Sequence, residues 1–127
     1  MEKRRILVVD DQPSIRLMVR LTLQEAYELD EAENGDEAWE KIQDHAPDAL
    51  VLDVMMPGSI NGFQLCERVK KDVRLKHIVV VLVTACGQVS DQEMGRALGA
   101  DAYFVKPFSP LDLERQLTRL LADDAPA

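Results

Sequence analysis

Four apolar runs in this chain stop at polar side chains suited to chemistry. ILVV runs into Asp10 and Asp11, VL into Asp53, VVVLV into Thr84 and YFV into Lys106. Asp53 is the least ordinary of these. It lies in VLDVMMPGSINGF, residues 51–63, with apolar neighbours on both sides, where an unpaired carboxylate is costly. Each residue alone has a plain structural reading. An Asp after a strand often caps the next helix, Thr84 would serve as a turn residue, and Lys106 would be a solvated lysine before Pro107. The set says more than its members. Three carboxylates, a hydroxyl and an amine at the same end of parallel strands make an oxygen-rich, partly neutralised cluster. Acids so placed repel one another, so a cation is expected among them. All-oxygen ligation suits Mg²⁺, which often bridges carboxylates to phosphate. With Mg²⁺ and Lys106 holding a phosphoryl group, Asp53 could attack phosphorus as a carboxylate nucleophile. Positioning and charge neutralisation do most of the work in such transfers.

The elements that would position these residues alternate along the chain. Strands are expected at Ile6 to Val9, Tyr27 to Ala32, Ala49 to Leu52, Ile78 to Val83 and Ala102 to Val105. Helices are expected at Pro13 to Ala26, Asp36 to Asp44, Gly62 to Lys71, Gln88 to Leu98, and from Ser109-Pro110-Leu111-Asp112 onward. Ile15, Met18, Val19 and Thr22 share one face of the first helix, and Pro13 suits its first turn. Glu28, Asp30 and Glu31 are odd in a central strand but useful on an exposed edge. Asn34-Gly35 breaks the pattern before a helix that turns Ala38, Trp39 and Ile42 inward. IVVVLV is apolar on both faces, as a central parallel strand must be. Gly95 weakens the fourth helix by about 1 kcal/mol relative to Ala, and Gly99 ends it. The last helix has Ser as cap, Pro in the first turn and an inner stripe of Leu113, Leu117, Leu120 and Leu121. The tail ADDAPA is expected to fray. Five strands alternating with five helices predict an α/β fold with a parallel sheet covered on both faces. The polar ends then fall on the carboxyl edge of the sheet, where such folds bind ligands.

The totals exclude several classes. A chain of 127 residues suits one domain. The apolar share of 46% and charged share of 30% suit a soluble globule. No apolar segment is long enough to cross a bilayer, and ILVV after MEKRR is too short for a signal-peptide core. A cytoplasmic setting is therefore expected. Cys66 and Cys86 form no CxxC pair and are expected to be small packed thiols. His45 and His77 have no metal-binding spacing; His45 falls near a helix C-terminus. The net charge of −8 excludes a basic stripe for nucleic acid.

The pieces VVDDQPS, DVMMPG, LVTA and YFVKPF, in this order, resemble the receiver domain of bacterial two-component response regulators. The resemblance covers residues 5 to about 121, as one domain with no output domain. It implies a flavodoxin-like doubly wound (βα)5 fold with strand order 2-1-3-4-5. By the same resemblance, Asp53 is the phosphoacceptor. Asp11 is a direct Mg²⁺ ligand, Asp10 one acting mainly through water, and the Met55 backbone carbonyl the third protein ligand. Mn²⁺ would fit the same set. Thr84 supplies the hydroxyl that turns toward the phosphoryl group and Lys106 the cation that contacts it. Ala85 leaves room for the group, and Tyr103 moves inward when Thr84 moves. Lys106-Pro107 matches a bond that is usually cis in the family. The side chains of Met55 and Cys86 line the site and tune hydrolysis. One departure is visible: four residues, not three, separate Pro57 from Gly62, an insertion that a loop tolerates cheaply.

The expected function is a phosphorylation-dependent switch. A sensor histidine kinase or a histidine phosphotransfer protein passes phosphate to Asp53. The face built from the fourth helix, fifth strand and fifth helix then changes its dealings with a downstream effector or a second copy of the chain. The protein would catalyse only its own phosphorylation and autodephosphorylation. Neither direct nucleic-acid contact nor membrane insertion is expected. An aspartate-nucleophile phosphatase is the rival enzyme, but it would carry a DxD motif and a cap domain. A phosphate-independent interaction module would typically have lost an acid, the Thr or the Lys. A flavodoxin-like cofactor carrier would need a Gly-rich phosphate loop after the first strand.

Overall fold

A computed structural model describes residues 3–85 and 89–123. The elements run β1 (Arg5–Val9), α1 (Pro13–Leu23), β2 (Glu28–Ala32), α2 (Gly35–Asp44), β3 (Ala49–Asp53), α3 (Gly62–Lys71), β4 (Val79–Thr84), α4 (Val89–Ala97), β5 (Ala102–Val105) and α5 (Pro110–Asp123). The strands form one parallel sheet in the order β2-β1-β3-β4-β5, as the resemblance implied.

Side chains alternate across a strand, so each strand feeds both faces. Leu7, Val9, Leu50, Leu52, Val80 and Leu82 pack with residues of α2 and α3, such as Ala38, Ile42, Leu65 and Val69. Ile6, Val8, Val51, Val81 and Val83 pack with Val19 and Leu23 of α1 and Leu113, Leu117 and Leu121 of α5. The three middle strands are therefore apolar on both faces. The edge strand β2 differs. Asp30 meets Lys41 of α2 at 3.1 Å, while Glu31, one residue on, meets Arg16 of α1 at 3.0 Å. Its acids face opposite layers and tie one helix to each.

Several boundaries differ from the sequence expectation. The first helix stops at Leu23, three residues short of Ala26. There the N–H groups of Ala26 and Tyr27 both reach the Leu23 carbonyl, a tight turn that carries Tyr27 into the core. The second strand accordingly begins at Glu28, not Tyr27. Gly35 opens α2 instead of only preceding it, with the Asn34 side chain accepting from the Glu37 N–H at 2.8 Å. The fourth helix ends at Ala97, and Gly99 follows at φ +95°, a left-handed conformation that suits glycine. Its expected start at Gln88 lies outside the described residues, as does the tail from residue 124. Trp39 is half-buried, with the Arg68 guanidinium 5.5 Å from its ring centroid. Leu120 is likewise partly buried.

The long loop before α3 is well accommodated. Ile60 is buried. Ser59 Oγ donates to Asp36 Oδ1 at 2.6 Å. Asn61 caps α3 and Gln64 returns the bond, so the helix starts at Gly62 as expected despite the extra residue. A Cβ on Gly62 would stand 2.3 Å from the Asp53 carbonyl oxygen and 2.7 Å from Val54 Cα. Both are backbone atoms with no side-chain freedom. Gly62→Ala is expected to cost about 3 kcal/mol through this overpacking, measured as a lowered urea midpoint.

Candidate functional site

The carboxyl ends of β1, β3 and β4 lie side by side because those strands are adjacent and parallel. Register pairs Val9 with Leu52, and Asp53 with Val83. Asp10, Asp53 and Thr84, each next to one of these positions, are the buried polar residues of the sheet's upper edge. Lys106 follows β5. Its N–H donates to the Thr84 carbonyl at 2.7 Å, which brings the side chain back over the edge. The Lys106-Pro107 bond is cis, as expected.

Asp10, Asp11 and Asp53 each offer a carboxylate oxygen within 4.8 Å of the others. The Lys106 ammonium stands 3.0 Å from Asp10 Oδ2 and 3.6 Å from Asp53 Oδ2. Asp10 Oδ1 accepts from the Gln12 N–H at 2.9 Å, and Asp53 Oδ1 from the Met55 N–H at 3.3 Å. Burial pushes the Asp53 carboxyl up, and the charge of Asp10 pushes it further. Lys106 and the Met55 N–H offset only part of this, leaving its pKa at about 6. Three clustered oxygen donors with too little positive charge nearby fit a hard divalent cation such as Mg²⁺.

Met55, two residues past Asp53, has a largely exposed side chain, and Ala85 is exposed just past β4. Cys86 lies outside the described residues. Pro107 borders an apolar groove of about 350 Å³ with Ile15, Met18, Phe108 and Lys106. Tyr103 is partly buried on the α2–α3–α4 side of β5. Gly95 is the α4 residue against its ring: a Cβ there would meet Tyr103 Cδ2 at 3.2 Å. Cys66 is a buried thiol, pushed up to about 11 by burial and therefore unreactive. His45 ends α2, its N–H donating to the Lys41 carbonyl.

Two contacts escaped the sequence reading. Gln12 Oε1 accepts from the Lys106 ammonium at 3.1 Å, and Arg16 Nη1 donates to the Asp10 carbonyl at 2.7 Å. The available signal was positional. Gln12 follows the acid pair directly, and Arg16 and Arg20 are spaced to face an acidic edge strand from one side of a helix.

The raised Asp53 pKa has a sign-defined consequence. Its ordinary value is 3.8 and its folded value about 6. The unfolded chain therefore gives up this proton first, so the group's favourable share is intact below pH 4 and is lost as pH rises through 6. Without divalent cations, Asp53→Asn is expected to be more stable than wild type at pH 7 by about 1–3 kcal/mol. The gap should close near pH 4. Parallel thermal melts in a chelating buffer check both points; a gap that is constant with pH would contradict the assignment.

Residues 6–118 match the model of the response regulator receiver domain. The chain is 37% identical over 119 residues to response regulator Rre1 of Synechocystis, covering 92% of this chain and 51% of that protein. It is 40% identical over 124 residues to the phosphate regulon transcriptional regulatory protein PhoB of Pseudomonas aeruginosa, covering 97% and 54%. The chain thus spans about half the length of these curated relatives. Among solved structures, chemotaxis response regulator CheY4 of Vibrio cholerae superposes with a TM-score of 0.85 at 35% identity, covering 93% of this chain and 98% of that one. Among the described residues, no helix is long and apolar enough to cross a membrane. The edge geometry, the sheet order and these likenesses agree, and the chain belongs to the response regulator receiver domain family.

Proposed function

We propose that this receiver domain is switched by transfer of a phosphoryl group to Asp53. The observation that carries this reading is the Lys106 ammonium held between Asp10 and Asp53, above a buried carboxylate that needs more positive charge than it has. An Asp53 oxygen attacks the phosphorus of a phosphohistidine on a sensor kinase or a phosphotransfer protein. The P–N bond breaks, the imidazole leaves, and an aspartyl-phosphate remains. Bound Mg²⁺, held by Asp10, Asp11, Asp53 and the Met55 carbonyl, would supply charge neutralisation for the incoming phosphoryl oxygens. Lys106 shifts from Asp10 toward one of those oxygens, and the Thr84 hydroxyl donates to another. The new charge and acceptor oxygens are what recruit both groups. Water later attacks the same phosphorus, the bond to the Asp53 oxygen breaks and inorganic phosphate leaves, so the chain promotes only its own modification and its reversal.

Tyr103 turns inward as Thr84 moves, and the surface of α4, β5 and α5 is the one a downstream effector reads. The Pseudomonas relative is a transcriptional regulatory protein. By analogy, the effector here is a protein or domain that acts on such outputs, or a second copy of this chain.

Incubation with a small phosphodonor and Mg²⁺ tests the acceptor. Wild type is expected to gain one phosphoryl group by intact mass, and Asp53→Asn none; undiminished labelling of that variant would exclude Asp53. Lys106→Ala should slow labelling by about 10²-fold, the scale of losing one preorganised charge donor. Met55 sits exposed beside the acceptor, and its apolar side chain screens the phosphoryl group from water. Met55→Asn should therefore lose phosphate faster than wild type. Equal decay of the two, followed by the same mass measurement, would remove that role.

A further inference from the structure

The three clustered acids are not held alike. Asp10 and Asp53 are buried and bonded to backbone N–H groups and to Lys106. Asp11 is exposed, and no contact among the described residues holds its carboxylate. Its direction is inherited from the peptide that joins it to Asp10. That peptide is held by its carbonyl, and the peptide before it by its N–H. The Asp10 N–H donates to the Ala32 carbonyl at 3.1 Å, and the Asp10 carbonyl accepts from Arg16 Nη1 at 2.7 Å.

Arg16 is in turn immobilised. Its side chain is 13% exposed, and its Nε donates to Glu31 Oε1 at 3.0 Å. Arg20, one turn along α1, holds the other Glu31 oxygen through Nε at 2.7 Å. A guanidinium is a rigid planar fork, so fixing one edge on Glu31 fixes where its other donors point. The chain of contacts runs from the edge strand β2, through α1, to the backbone of the acid pair.

We infer that Arg16 is a positioning residue for the divalent cation: by clamping the Asp10 carbonyl it sets the Asp10–Asp11 peptide plane and so aims the Asp11 carboxylate. The inference rests on the proposed Mg²⁺ site but goes beyond it, because Arg16 touches neither metal nor phosphate. Its sign separates it from two simpler roles. A guanidinium acting only as a nearby positive charge would oppose cation binding, so its removal would tighten Mg²⁺. A guanidinium acting only as a tie between α1 and β2 would change stability and leave Mg²⁺ affinity alone. Positioning alone predicts weaker binding, by about 10-fold or more, as for lost supports of metal ligands elsewhere.

The test is calorimetric Mg²⁺ titration of unphosphorylated wild type, Arg16→Ala, Arg16→Lys and Arg20→Ala, each with a thermal melt. Arg16→Ala should bind Mg²⁺ about 10-fold more weakly than wild type. Arg16→Lys keeps the charge and one donor but loses the fork, and should fall between; it carries the test if the alanine variant does not fold. Arg20→Ala loses a bond to the same Glu31 without touching Asp10, and should keep near-wild-type affinity even if it melts earlier. Unchanged or tighter binding by the Arg16 variants would overturn the inference, as would equal weakening in Arg20→Ala. A wild type that takes up no Mg²⁺ would instead overturn the proposed site, and this inference with it.

Discussion

The structure is organised around one unfavourable interaction: negative charges crowded at the buried end of a sheet. Asp10 and Asp53 are both nearly inaccessible, yet their carboxylates share one ammonium, Lys106. Desolvation and mutual repulsion both work against Asp53, and its raised pKa is the record of that. A fold built for stability alone would place apolar residues there. Keeping the acids leaves the site short of positive charge. The same low-dielectric setting that penalises the bare carboxylates strengthens their attraction for a cation.

Other parts of the molecule make that arrangement tolerable. The middle strands are apolar on both faces, so the sheet is rigid where the acids emerge. Gly62 lets α3 begin directly against the Asp53 carbonyl, close to the backbone that carries this carboxylate. Lys106 is delivered by a backbone bond to Thr84, so the ammonium between the two buried acids is fixed to the end of β4.

Much of this was legible in the sequence. Apolar runs ending in acids, a threonine and a lysine predicted both the alternating fold and the edge on which the site forms. The reading depended on the set, because no single residue separates a ligand from a helix cap. Element interiors were also legible, since period 2 and period 3.6 differ clearly over a strand or a helix. The boundaries were less so. Ala26 is a good helix former, but the turn that buries Tyr27 ends α1 earlier, a tertiary demand that local propensity does not carry. Gln12 and Arg16 were missed for a related reason. Their partners are Lys106, 94 residues away, and a backbone carbonyl; position beside the acid pair and an i, i+4 spacing hint at such roles but identify neither partner.

The loop that leaves Asp53 is tied down along its length. Ser59 is bonded to Asp36, Ile60 is buried, and Gly58 takes a left-handed turn beside the same aspartate. The extra residue is thus spent on attachment to α2, not on slack. A surface fixed in this way presents a finished shape to whatever approaches Asp53 from that side. A partner that recognises it gives up little entropy in ordering the loop, so discrimination there rests on fit between preformed surfaces.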